Sequence, residues 1–265
     1  LVPMVSLLEL YNGSSKGKFD LIMKTAYQTD IGKQRSENQD RVRVFQKDHN
    51  LLAVVTDGIG GNRSGDVAAT IAINQLGHDF MTAGPENSVE AENWFQTQVL
   101  AANTIILKKS KENDKNQGMG TTLVAALFIG SQKVVVANIG DSRGYIFHDG
   151  LLTQITVDHS LVNELVKSGD LSEDAARLSP QKNIITRAIG ISDDAKIDVH
   201  TFPFGKNDQL LLCSDGLSKM VSNDQIKSVL GNETISVGDK CRQLVDLANQ
   251  AGGPDNVTVL ISENN

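Results

Sequence analysis

Between Thr121 and Thr156 the chain places four strand-like segments in succession with no helix between them: "TTLVAALFI" (121–129), "KVVVANIG" (133–140), "RGYIFHD" (143–149) and "LLTQIT" (151–156). The connections are three residues or fewer, too short for the crossover that a parallel pair requires, so the segments are expected to pair antiparallel. This one feature argues against a doubly wound parallel sheet. It is matched upstream by "TAYQTD" (25–30) and by "RVRVFQ" (41–46) and "LLAVVTD" (51–57), the last two joined by the polar turn "KDHN" as a hairpin.

Helical patterns arrive in pairs. "DVAATIAINQLGHDFM" sets Val67, Ile71 and Leu76 on one face, and "SVEAENWFQTQVLAANTIILKKSK" follows it. Downstream, Ser222 and Gln225 have capping-box spacing before a helix that ends near Gly231, and "GDKCRQLVDLANQA" carries Cys241, Leu244, Val245 and Ala248 on one stripe. Strands resume at "KIDVHTF" (196–202), "QLLLCSD" (209–215) and "NVTVLIS" (256–262). Hairpins of strands with pairs of helices predict an α+β fold, an antiparallel β-sandwich with helices outside.

With 265 residues, 40% of them apolar, the chain can bury a substantial core, and no linker divides it, so residues 23–265 are expected to form one domain. A formal charge of −7, with no run of more than two basic residues, argues against nucleic acid as a partner. No apolar stretch reaches the roughly 20 residues that span a bilayer, so no membrane segment is expected. Cys213 and Cys241 have neither disulfide-framework nor zinc spacing and are expected as buried thiols of a reducing, cytoplasmic compartment. Residues 1–22 lack the features of a signal peptide, and with Met23 opening the first patterned segment they are expected to be a non-native leader.

The distribution of acids is less ordinary. Asp57, Asp141 and Asp215 close apolar strands as "TDG", "GDS" and "SDG", while Asp40 and Asp255 precede others. A lone Asp-Gly after a strand is an ordinary turn. Here, however, the hairpin 41–46/51–57 must set Asp40 beside Asp57. If 209–215 neighbours 256–262, Asp215 and Asp255 form a second such pair, and the two pairs are expected to meet across the sandwich. Carboxylates so concentrated repel one another, and the local sequence offers few cations. Hard divalent cations solve this, and ligation by oxygen alone favours magnesium, manganese or calcium over zinc. None of the five histidines lies in these motifs. Arg35, in "QRSENQD", reads either as a solvated surface arginine or, beside a metal cluster, as a planar fork for phosphate oxygens. Metals with an arginine suggest phosphate-ester hydrolysis.

An ordered set of motifs, "TDIGKQRSENQD", "VVTDGIGGN", "GMGTTLVAAL", "VANIGDSRGYIF", "DHSLVNELVKSGDLSEDAARLSPQKNIITRAIG", "LLLCSDGL" and "GGPDNVTVLI", resembles the metal-dependent protein phosphatases of the PPM (PP2C) class, and their bacterial members in particular. The resemblance runs from about Met23 to the end. It implies a sandwich of two antiparallel sheets flanked by pairs of helices (αββα), and in-line hydrolysis of phosphoserine and phosphothreonine in proteins by water activated at a dinuclear Mn2+ or Mg2+ centre.

The resemblance further implies that Asp57 bridges two core metals, that the Gly58 carbonyl binds one of them, and that Asp215 and Asp255 ligate the first. Asp40 would act through metal-bound waters, Asp141 with Asp215 would serve a third, weaker ion, and Arg35 would hold the phosphate. It also implies phosphoprotein substrates, a cognate serine/threonine kinase, a monomer, and a flap over residues 158–190 beside the site. The flap's composition, with Gly169, suits mobility, though a well-packed pair of short helices fits as well.

Two positions depart from the bacterial pattern Asp-Gly-Met-Gly-Gly-His: Ile59 stands for the methionine and Asn62 for the histidine. Ile59 also cannot supply the proton donor that eukaryotic members place directly after the Asp-Gly, so a metal-bound water is the expected donor. A phosphoprotein-binding pseudophosphatase and a dedicated-partner regulatory phosphatase of the stress-response or sporulation type remain the alternatives.

Overall fold

The computed structural model describes residues 6–9, 23–60, 64–130 and 132–265. Asn62, one of the two departures from the bacterial pattern, lies outside the described residues, as does most of the leader. In chain order the elements are β1 (Ser6–Glu9), β2 (Met23–Asp30), β3 (Arg41–Lys47), β4 (Asn50–Thr56), β5 (Gly58–Ile59), α1 (Gly65–Ala83), α2 (Ser88–Glu112), β6 (Gly120–Thr121), β7 (Leu123–Phe128), β8 (Lys133–Ile139), β9 (Arg143–His148) and β10 (Leu151–Gln154). They continue with α3 (Leu161–Ser168), α4 (Glu173–Leu178), β11 (Asp198–Pro203), β12 (Gln209–Cys213), α5 (Asp215–Ser218), α6 (Asn223–Leu230), α7 (Val237–Gln250) and β13 (Val257–Asn264).

Two antiparallel sheets form the centre, one in the order β1-β2-β13-β12-β9-β10 and the other in the order β11-β8-β7-β4-β3. The hairpin expected from "KDHN" is present, with Arg41 opposite Thr56, and β12 pairs with β13, with Cys213 opposite Val259. Ser6–Glu9, within the expected leader, pairs antiparallel with β2 at the edge of the first sheet.

Strand β4 explains the layering. Leu51, Ala53 and Val55 point into the sandwich with Leu210, Leu212 and Leu260 of the opposite sheet. The intervening Leu52 and Val54 pack outward under Ala72, Leu76 and Phe95 of the first helical pair. Because both faces are covered, the strand is apolar without alternation, and each fully buried Leu or Val contributes about 2 kcal/mol. On the other side α7 lays Cys241, Leu244, Val245 and Ala248 over Leu211, Val259 and Ile261, giving the expected αββα layers. The Ser222–Gln225 capping box forms in both directions. Cys213 and Cys241 are free and buried, and burial pushes both thiols up to about 12.

One expectation is corrected. β7 pairs with β8 and β9 with β10, but β8 and β9 do not pair; they belong to different sheets. The three residues between them carry the chain across the sandwich instead of turning it back. Gly140 makes the crossing possible: its φ is +107°, and a Cβ there would stand 2.6 Å from the Cβ of Thr122. The crossing places Asp141 between the two sheets, a position no hairpin turn would give it.

Gly140→Ala is therefore expected to cost about 2 kcal/mol or more, from backbone strain plus the collision with Thr122. A urea melt would show this as a lowered midpoint at unchanged slope, and an unchanged midpoint would contradict the account of the crossing.

Candidate active site and metal centre

The β3–β4 hairpin sets Asp40 and Asp57 at one end of their sheet, and the β12–β13 pair sets Asp215 and Asp255 at the same end of the other. Asp215 does not close a strand, as the sequence suggested: β12 ends at Cys213, and Asp215 is the first residue of α5. At Ser214 the ladder is half kept: its amide still donates to the Thr258 carbonyl at 3.1 Å, but the Thr258 amide donates at 2.9 Å to the Ser214 hydroxyl, which in turn donates to Asp40 Oδ2 at 2.7 Å.

Asp40 joins the sheets. It is 2% exposed, and its Oδ2 also accepts from Thr258 Oγ1 at 2.6 Å. A hydroxyl has one proton to give, so Thr258 must accept from Thr29 Oγ1 at 2.7 Å, and Thr29 in turn accepts from Asn38 Nδ2 at 2.9 Å. The relay fixes the direction of the Thr258 bond that ends on Asp40. Asp57 is held through its backbone: its amide donates to Thr122 Oγ1 at 3.0 Å, and its carbonyl accepts from the Thr122 amide and the Thr121 hydroxyl. Thr122 Oγ1 also bonds Ser142 Oγ at 2.7 Å, tying the Asp57 segment to the crossing that bears Asp141.

The Asn256 side chain pins the loop that carries Arg35. It donates to the carbonyls of Ile31 and Glu37 and accepts from the Gln39 amide. Arg35 Nη2 thereby reaches Asp255 Oδ2 at 2.7 Å. A cleft of about 750 Å³ opens here, lined by Arg35, Asp57, Gly58, Asp215 and Asp255, with Asn183 and Ile185 contributed by the 158–190 segment. That segment lies where a flap was expected, and α3 within it buries no residue. Asp40 and Asp141 sit behind the cleft rather than on its wall.

Concentrating acids here disturbs their ionisation. Burial pushes Asp40 up to about 7 against its hydrogen bonds from Thr258 and Ser214, with the charges of Asp215 and Asp255 adding to the rise. Burial, and then repulsion from Asp40 and Asp215, holds Asp57 well above the usual carboxylate range. Burial with repulsion from Asp215 brings Asp141 to about 6.

Oδ1 of Asp40, of Asp141 and of Asp215 is buried without a hydrogen-bond partner. Orphaned, desolvated carboxylate oxygens in an oxygen-only donor set fit hard divalent cations. Gly58 is packed closely beside these acids: a Cβ there would stand 2.4 Å from the Gly65 carbonyl carbon, so α1 can start against Gly58 only because it has no side chain. As the side chains stand, no three acidic, histidine or cysteine groups among the described residues enclose one ion. Protein cations reach between the acids instead, Arg35 to Asp255 and Lys219 to both Asp141 and Asp215.

The sequence reading missed Lys219, Ser214, Thr258, Asn256 and His159. Lys219 follows Asp215 by four residues, a helical spacing that became meaningful only once 215–218 proved to be a helix. His159 Nδ1 accepts from the Gly140 amide at 3.2 Å, so in the neutral ring the proton is assigned to Nε2, which donates to Asp198 at 3.0 Å. Burial keeps this imidazole below its ordinary value. The preceding Asp158 takes a forked pair of bonds from Arg143. Residues 158 and 159 thus clamp both ends of the crossing and tie the start of the 158–190 segment to both sheets.

Comparison with known proteins agrees with this geometry. Residues 30–250 match the family model described as Protein phosphatase 2C. The chain is 42% identical over 246 residues, covering 92% of it and 96% of its relative, to a protein of Listeria welshimeri named serine/threonine phosphatase stp. It is similar to the structure of the S. agalactiae serine/threonine phosphatase, with a TM-score of 0.87 and 38% identity, covering 92% of this chain and 100% of that one. A second similar structure is the catalytic domain of the serine/threonine protein phosphatase PstP in complex with two manganese ions, with a TM-score of 0.78 and 34% identity, covering 91% of this chain and 97% of that one.

The raised acids have a sign that can be tested. Folded and free of metal, the protein retains protons that the unfolded chain gives up in the ordinary carboxylate range. Their stabilising contribution is complete below that range and is lost as pH rises through about 6 for Asp141 and about 7 for Asp40. In EDTA the melting temperature is expected to fall between about pH 5 and about pH 8, and manganese, which binds the deprotonated carboxylates, to raise it most at the upper end. A melting temperature in EDTA that is flat across that interval would contradict this electrostatic account.

Proposed function

The chain belongs to the protein phosphatase 2C family, and from that membership we propose how its residues share the work of a metal-dependent serine/threonine protein phosphatase. It acts on phosphoproteins. The observation that carries the assignment of roles is the convergence on one cleft of Asp57, Asp215, Asp255 and Arg35, backed by buried carboxylate oxygens that have no partner.

Asp57, Asp215, Asp255 and the Gly58 carbonyl would hold two manganese or magnesium ions, and the place by Asp141 and Asp215 that the resemblance gives to a third, weaker ion is reached by Lys219. Bound there, the ions would supply Lewis-acid polarisation of the phosphoryl group and an acidified water. The remaining work falls to the chain. Asp40 ties the two sheets together through Ser214 and Thr258 and keeps its Oδ1 without a hydrogen-bond partner. Arg35 exchanges part of its pairing with Asp255 for the phosphate, a dianion that its fork can grip at two oxygens. Asn183 and Ile185 offer the substrate chain a polar and an apolar contact at the mouth of the cleft. No histidine lines the cleft among the described residues, and Ile59 has no proton to give, so the leaving alkoxide takes its proton from solvent within the site.

The pseudophosphatase reading is not favoured, because the relatives are named as phosphatases, and the lining of the cleft by Asp57, Asp215 and Asp255 supports the same reading. A cognate serine/threonine kinase, a monomeric state and a cytoplasmic location belong to the same proposal. Among the described residues, no helix is long and apolar enough to cross a membrane.

On p-nitrophenyl phosphate and a phosphothreonine peptide, EDTA is expected to abolish turnover and manganese to restore it. Asp215→Ala should lower kcat/KM by about a hundredfold or more, as expected for losing a ligand of a catalytic ion. Arg35→Ala should lower it about 10- to 100-fold, the worth of a charge-assisted fork on phosphate. Full activity in Asp215→Ala would remove the assignment.

A further inference from the structure

Lys219 occupies a position that the metal-site reading leaves unexplained. Its ammonium lies 3.0 Å from Asp141 Oδ2 and 2.5 Å from Asp215 Oδ2, between the two carboxylates. The opposite oxygen of each, Oδ1, is buried and has no partner. Lys219 lines the cleft and Asp141 does not, so the ammonium stands between Asp141 and any ion arriving from solvent. The side chain is held in place: the Lys219 amide closes α5 on the Asp215 carbonyl at 2.9 Å, and the stem then runs along the same face as Asp215 at the (i, i+4) spacing. Burial disfavours the ammonium, but Asp215 and Asp141 outweigh that cost and hold its pKa above the ordinary lysine range, so it remains charged.

We propose that Lys219 is a resident cation that takes the place of a metal ion between Asp141 and Asp215. The inference rests on the metal-dependent reading above and deepens it. The chain then operates with the ions held on Asp57, Asp215 and Asp255, and a further ion reaches Asp141 only by expelling the lysine. A fixed positive charge this close raises the dissociation constant of a divalent ion there by about tenfold or more, since the two cations compete for the same carboxylate oxygens at short range.

Calorimetric titration of manganese into the metal-stripped full chain tests this. Lys219→Met, which keeps the stem and loses the charge, is expected to bind one more manganese ion than the wild type, or to bind its weakest ion about tenfold or more tighter. Lys219→Arg should retain the wild-type isotherm, and Asp141→Asn added to Lys219→Met should cancel the gain. Superimposable isotherms for the wild type and a folded Lys219→Met or Lys219→Gln would overturn the proposal while leaving the metal-site reading intact. A wild type that binds no manganese would overturn both.

The wild type gives a second readout that needs no variant. In lysine-15N-labelled protein titrated with magnesium, the Lys219 ammonium signal is expected to persist while the tight sites fill and to move only with later ions. Loss of the signal with the first equivalents would overturn the proposal.

Discussion

Like charges held together out of water are the problem around which this fold is arranged. Asp40, Asp57, Asp141, Asp215 and Asp255 gather at one end of a sandwich whose interior is otherwise Leu, Val, Ala and Phe. Repulsion would drive the two sheets apart there if nothing opposed it. The chain opposes it in three ways. Hydroxyls of Ser214 and Thr258 bond Asp40, the cations Lys219 and Arg35 pair with Asp141, Asp215 and Asp255, and the carboxylate oxygens left without partners fit the divalent ions proposed above. Raised acid pKa values mark the part of the problem that the protein's own groups do not solve.

Rigid strands make this concentration useful. Asp57 is fixed by Thr121 and Thr122 at the end of a strand buried on both faces, and Asp40 by a directed relay that begins at Asn38. Asp141 owes its place to the crossing at Gly140, and the same crossing is gripped by His159 and Asp158 at the start of the 158–190 segment. Asp158 and His159 also open the segment that brings Asn183 and Ile185 to the wall of the cleft.

Much of this was legible before any coordinates. Turn length alone placed Asp40 beside Asp57, apolar periodicity marked the stripe that α7 buries, and the Ser222–Gln225 spacing marked the start of α6. The order of motifs indicated the family. What escaped was decided by partners distant in sequence. A three-residue connection reads as a hairpin unless one knows that Thr122 leaves room only for a glycine at the crossing. Ser214 and Thr258 look like small strand residues until Asp40 arrives from the other sheet, and His159 looks like part of a polar loop until the Gly140 amide meets its ring. Lys219 was hidden by the assumption that Asp215 ended a strand; on a helix its (i, i+4) relation to that acid is plain. The estimate of few compensating cations failed for the same reason.

The central claim is that this end of the sandwich is built around divalent cations. An anomalous-scattering map from crystals of the wild-type chain soaked in manganese tests it most directly. The account predicts strong peaks among Asp57, Asp215, Asp255 and the Gly58 carbonyl, with Lys219 still between Asp141 and Asp215. A map with no anomalous density at these carboxylates under saturating manganese, or with peaks only elsewhere on the surface, would contradict it.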